Sequence, residues 1–183
     1  MRLLSVDTGA KRMGWCVLDC KNLSSTVDIA VADIEYVASG VMGLTKPDDE
    51  QWQPYRLRLI RYWANEGSDL LARYNPTHFA NETMPVIGVG KASAQSVLAN
   101  AALSALQTIV TLRGLPIHQV AAVSVKARIG GGKSATKPKV RDGVISLLPE
   151  LAYRKKDWTK SDTMDEPDAV AVGLVALGCR NPR

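Results

Sequence analysis

No run of apolar residues in the 183-residue chain approaches the roughly 18 that a membrane span requires. Cysteine is scarce. Cys16, Cys20 and Cys179 are an odd number without a C-x-x-C pair, which argues against a disulfide framework or a zinc ribbon and reads as three small buried hydrophobes in a reducing compartment. The chain has only two histidines, His78 and His118, and they lack partners at metal-ligand spacing, so they are expected to be structural and neither is a candidate general base. Internal repeats, low-complexity tracts and linker-like stretches are missing too, so residues 1–183 are expected to form a single domain. Asp7 interrupts the opening segment too early for the apolar stretch of a secretory signal, and a cytoplasmic protein with no membrane partner is expected.

The composition that remains, 46% hydrophobic and 22% charged, is that of an ordinary globular protein and excludes a disordered or collagen-like chain. The formal charge of +5 is spread unevenly. Residues 1–50 carry a net −3, 51–112 +2, 113–160 +8 and 161–183 −2. A basic block between less basic segments suggests a polyanionic partner; the alternative is a solvated lysine-rich surface.

Leu3 to Val6 and Met13 to Leu18 are short apolar runs separated by Asp7-Thr8-Gly9, and they read as a hairpin. Residues 27–38 alternate apolar and polar side chains and predict a third strand, which makes an antiparallel meander. Leu57, Ile60, Trp63, Ala64, Leu70 and Leu71 recur at helical spacing between Pro54 and Tyr74, with Asn75-Pro76 as the stop. A strand over 77–81 would deliver Glu82 at its end. Further helices are expected at 91–113, at about 139–148 and at 167–177, with a fifth strand at 117–120. This order predicts a mixed sheet covered by helices, an α/β domain.

Four carboxylates stand where such a fold can gather them. Asp7 and Glu82 end neighbouring strands, and Asp165 and Asp168 share one face of the start of the last helix, with Pro167 suited to its first turn. The acids of that helix could be no more than caps. Asp168, however, is followed at once by AVAVGLVAL, so the helix is expected to be buried nearly all round with its acids beside the core. Converging acids repel one another unless cations compensate them, and hard oxygen ligands favour magnesium or manganese over zinc.

These residues resemble the RuvC-type Holliday junction resolvases. The opening MRLLSVDTGAKRMGWCVL resembles the family's first catalytic Asp before a Gly-containing second strand. Glu82 in HFANET resembles its second acid, and Asp165-Glu166-Pro167-Asp168-Ala169 its closing pair. Arg56-Leu57-Arg58-Leu59-Ile60, Lys126 in VSVKARIGG and Lys137 in SATKPKV extend the likeness over residues 2–177. The resemblance implies a ribonuclease H-like five-stranded sheet, three antiparallel strands followed by parallel ones, flanked by helices. It also implies a homodimer and paired magnesium-dependent nicks in branched DNA, especially four-way junctions. The family places a wedge just past the second acid, and here Met84, Val86 and Ile87 are the candidates.

Phosphodiester hydrolysis needs an activated water, a clamp on the phosphate and charge compensation at the leaving oxygen, which two cations supply. Asp7 would bridge them, Glu82, Asp165 and Asp168 would complete their shells, and Lys137 would add positive charge at the phosphate. Lys126, Arg128, Lys133, Lys139 and Arg141 would hold flanking phosphates, and Met84 is counted with the DNA contacts. The same-fold alternative is a less selective branched-DNA or flap endonuclease, and the other is a non-catalytic DNA-binding protein.

Three other motifs compete. Ala127 to Ser134 satisfies a loosened P-loop pattern, but Pro138 would break the helix such a loop needs. Asp7-Thr8-Gly9-Ala10 matches an aspartic-protease motif, whose domains are nearly all strand. The cluster Trp52, Tyr55, Arg56, Arg58, Arg61, Tyr62 and Trp63 invites a nucleic-acid stacking role, yet its spacing is that of an amphipathic helix with an arginine-rich outer face. Finally, Ala94, Ala101, Ala102 and Ala105 mixed with Val97, Leu98 and Ile109 give the 91–113 helix a face that could meet its copy across a two-fold axis or simply cover the sheet.

Overall fold

The computed structural model describes residues 1–9, 11–21, 31–83, 94–160 and 163–181. Its strands are β1 (Arg2–Thr8), β2 (Arg12–Cys20), β3 (Ile34–Gly43), β4 (His78–Thr83) and β5 (Ile117–Ala121), in the sheet order β3-β2-β1-β4-β5. The first three strands are antiparallel neighbours, whereas β1 with β4 and β4 with β5 run parallel. This is the mixed sheet expected of the ribonuclease H-like fold. The central position of β1 explains its unbroken LLSV run, because helices cover both faces and both sets of alternating side chains are buried.

Helices α1 (Trp52–Tyr74) and α2 (Ala94–Leu112) cover one face, over a core that includes Leu4, Val6, Val17, Trp63, Phe79 and Leu106. The other face, with Leu3, Cys16, Leu18 and Ala80, packs against α5 (Glu166–Ala176), backed by α3 (Ala122–Arg128) and α4 (Lys137–Leu147). From Glu166 to Val175 every residue of α5 except Asp168 is buried, as its apolar sequence predicts. The three cysteines are buried, and none of them is in a disulfide.

Several expectations need correcting. The third strand lies at 34–43, not 27–38; residues 31–33 form a 3₁₀ turn and 27–30 fall outside the described residues. Its pairing runs from Cys20↔Ile34 to Arg12↔Gly43, so the nine-residue length of β2 carries it through Gly40, where the ring of Trp15 takes the place of a side chain. In α1 the buried face is Tyr55, Leu59, Trp63, Gly67, Leu70 and Leu71, while Leu57 is 67% exposed. Gly67 belongs to that face because Leu106 of α2 packs into the space above it. Trp52 stays 53% exposed, so the aromatic cluster divides between core and surface. The stop is as expected: Asn75 adopts the left-handed conformation and its N–H caps the Leu71 carbonyl.

Helix α4 starts at Lys137, two residues early, because Pro138 fits a first turn that needs no N–H there. Helix α3 has no counterpart among the expected elements. Its β-branched Val123 and Val125 have low helix propensity, and only Val125 is buried. It also places Ala127 in a helix where a P-loop needs the end of a strand. By length and mean hydropathy, Gln95–Leu112 does reach the range of a membrane span, contrary to the reading of the sequence. Its apolar residues Leu98, Ala102, Leu103, Leu106 and Val110 are buried against the rest of the protein, and Asn100, Ser104 and Thr108 face outward.

Candidate active site

The parallel register of β1 and β4 pairs Val6 with Asn81, so Asp7 and Glu82 leave the sheet at the same edge. Strand alternation puts both on the face covered by α5. Across β1, Asp7 pairs with Gly14 of β2, and a side chain at Gly14 would collide with the Asp165 carbonyl. The missing side chain therefore lets the start of α5 descend onto the strand ends. Two further contacts hold α5 there. The Ser5 hydroxyl donates to the Ala169 carbonyl at 2.8 Å, and Gly173 lies directly against Ser5 and Leu18.

As a result Asp7, Asp165 and Asp168 each bring a carboxylate oxygen within 4.8 Å of the others. Glu82 is not part of this group. It lines the same cleft of about 460 Å³, together with Asp7, Asp168, Thr136, Lys126 and Lys137. Burial pushes the Asp7 carboxyl well above the usual carboxylate range, and the charges of Asp168 and Glu82 push it further. Glu82 is raised by burial and by Asp168. Asp168 is raised by burial even though Lys137 hydrogen-bonds to it.

Two cations lie on the acids. The Lys137 ammonium bridges Asp168 at 2.8 Å and Asp165 at 3.1 Å, and Arg12 Nε lies 3.5 Å from the second oxygen of Asp165. Burial lowers the pKa of Lys137, but the hydrogen bonds and charges of Asp168 and Asp165 outweigh it and leave the group firmly protonated. A cluster of hard carboxylate oxygens that already draws two cationic side chains is chemically suited to a divalent cation.

Lys126 is on the cleft wall and Lys133 and Lys139 are exposed. Arg128 and Arg141 are half-buried, and the Arg141 guanidinium is engaged by Asp142 at 3.2 Å. Met84, Val86 and Ile87 lie outside the described residues. Sequence reasoning missed Arg12, Ser5 and the partners of Glu166. Gly14 was visible as the glycine of the second strand, but not the carbonyl it admits. His78 and His118 stack on the sheet with ring centroids 5.4 Å apart, at the starts of β4 and β5 and away from the acids.

A carboxylate cleft at the edge of a mixed sheet, closed by a buried helix, defines an α/β protein of the ribonuclease H-like class with a site suited to divalent cations. No family model matches the sequence. The chain is 31% identical over 174 residues to the crossover junction endodeoxyribonuclease RuvC of Gluconobacter oxydans, an alignment covering 95% of this chain and 88% of that protein. It is 28% identical over 182 residues to the RuvC of Dichelobacter nodosus, covering 100% and 92%. The fold matches that of T. thermophilus RuvC in complex with Holliday junction substrate, with a TM-score of 0.66, 18% identity and coverage of 100% and 99%. The chain belongs to the RuvC family of crossover junction endodeoxyribonucleases.

Proposed function

We propose that the protein resolves four-way DNA junctions by paired, magnesium-dependent nicks, acting as a homodimer. The observation that carries this reading is the convergence of Asp7, Asp165 and Asp168 beside Glu82 in a cleft walled by lysines. Two magnesium ions per site, with manganese as a substitute, would activate the attacking water and compensate charge at the phosphate and the leaving 3′-oxygen. Asp7, which feels the charges of all three other acids, would serve both ions, with Asp165, Asp168 and Glu82 as their remaining protein ligands. Bound cations would offset the repulsion among these carboxylates.

Lys137 holds a positive charge at the cleft mouth, where it orients Asp165 and Asp168 and meets the scissile phosphate. Lys126, Arg128, Lys133, Lys139 and Arg141 belong to α3, α4 and the turn between them, and would position flanking phosphates without reading sequence. Met84 follows Glu82 closely enough in the chain to reach the same DNA.

Incubation with labelled four-way junction, flap and linear duplex, with and without magnesium, tests the reading. Symmetric nicks confined to the junction and dependent on magnesium are expected. Equal cutting of all three substrates would leave a nuclease but remove the resolvase.

A further inference from the structure

We infer that Arg154 is a positioning residue for the metal-holding acids and acts on them through Glu166, an inference that rests on the reading of Asp165 and Asp168 as metal ligands. Glu166 stands between those two acids in sequence, yet its side chain is turned away from solvent and only 1% of the residue is exposed. Its carboxylate is fully engaged. Oε1 accepts a hydrogen bond from the Ser39 hydroxyl and lies 2.9 Å from Arg154 Nη1, while Oε2 accepts from Arg154 Nη2 at 3.0 Å. The Tyr36 hydroxyl lies 2.8 Å from Ser39 Oγ and accepts from Arg154 at 3.4 Å, which ties the group to β3.

This arrangement has two consequences at the cleft. A guanidinium fork fixes both oxygens of Glu166, so the first turn of α5 cannot rotate about its axis without breaking charge-assisted hydrogen bonds. Rotation is the motion that would separate Asp165 and Asp168 from Asp7. The pair also neutralises a carboxylate that lies next to Asp165 and two residues before Asp168, so no further negative charge adds to their repulsion. Arg154 ends the 3₁₀ segment Pro149–Arg154, which follows α4 closely, and α4 begins with Lys137. One stretch of chain therefore holds the start of α5 twice: Lys137 grips Asp165 and Asp168 on the cleft side, and Arg154 grips Glu166 on the core side.

A purely structural ion pair would make a different prediction, since its loss would lower the melting temperature and leave metal affinity alone. Manganese binding, followed by electron paramagnetic resonance without DNA, separates the two. In Arg154→Met, manganese affinity is expected to fall roughly tenfold or more, the usual effect of losing a residue that orients a ligand. The magnesium needed for half-maximal junction cleavage should rise by a similar factor. Arg154→Lys, which keeps the charge but loses the fork, should fall between wild type and Arg154→Met, and Ser39→Ala should show a smaller loss in the same direction.

Folded Arg154→Met with wild-type manganese affinity and magnesium requirement overturns the inference, whatever its melting temperature. If Arg154→Met does not fold, Arg154→Lys and Ser39→Ala decide in its place, and wild-type affinity in both overturns it. A wild-type protein that binds no manganese would overturn the metal-site reading and this inference with it. Normal binding by the wild type and unchanged binding by the variants would overturn this inference alone.

Discussion

Asp7 occupies a costly place for a carboxylate, because burial, Asp168 and Glu82 all oppose its ionisation. An acid whose pKa is raised on folding binds more protons in the folded than in the unfolded state at pH values between its two pKa values. Metal-free protein should therefore lose stability as pH rises from about 4, the unfolded value, through the raised folded value of Asp7. Asp7→Asn should flatten that dependence and raise the metal-free melting temperature at neutral pH. Thermal melts at pH 5 and 8 in chelator check both. The same change, and Glu82→Gln, Asp165→Asn or Asp168→Asn, should lower magnesium-dependent cleavage by orders of magnitude while junction binding in calcium survives. A variant that keeps a near-normal rate would take its residue out of the site. Gly14 offers a subtler test. A methyl group there pushes against the Asp165 carbonyl, and a shift of about 1 Å at a catalytic group can cost roughly 100-fold in rate. Gly14→Ala should remain folded by circular dichroism and cut about that much more slowly.

Among the helices, α1 and α2 serve the fold and α3 and α4 serve the cleft. Gly67 and Leu106 join α1 to α2 on the face opposite α5, where overpacking typically costs about 1 to 3 kcal/mol. Gly67→Ala should lower the midpoint of urea unfolding accordingly and leave the cleavage rate of the folded protein unchanged. A loss of rate at full occupancy of the folded state would mean that α1 and α2 communicate with the cleft. Helices α3 and α4 carry the exposed Lys126 and Lys139. Reversing either charge should weaken binding to junction, flap and duplex alike, and should reduce the slope of log affinity against log salt by about 0.9 per lost phosphate contact. Unchanged slopes would make the segment ordinary solvated surface.

At the scale of the whole molecule, one cleft can cut one strand, and resolving a junction requires two cuts related by symmetry. A two-fold pair of chains meets that need, and α2 offers a surface for it. Ala102 is committed to the core, but Ala101 and Ala105 are only half-buried. Ala101→Glu or Ala105→Glu would place a charge in such an interface at a cost of several kcal/mol. The variant should stay folded, sediment as a monomer and lose paired nicking while still binding manganese. A folded variant that remains dimeric and cuts both strands would place the interface elsewhere.

The sequence by itself determined the order and type of most elements and which acids stand as candidates for the site. Local patterns sufficed for these: the apolar run of β1, the Asn75-Pro76 stop, the Pro167 start and the apolar length of α5 each reflect nearest-neighbour chemistry. The extent of β3 was hidden, since Gly40 and Gly43 are poor strand formers and only pairing with β2 holds them extended. Helix α3 was hidden because it is short and its β-branched valines are weak helix formers. Tertiary structure alone decided that Asp7, Asp165 and Asp168 form the tight group with Glu82 across the cleft, that Lys137 rests on two of them, and that Arg154 reaches Glu166. Those contacts join residues far apart in the chain. Spacing along one strand or helix constrains which face a side chain occupies, whereas its partner across the fold depends on how closely two backbones approach, and here that approach is permitted by the missing side chain at Gly14.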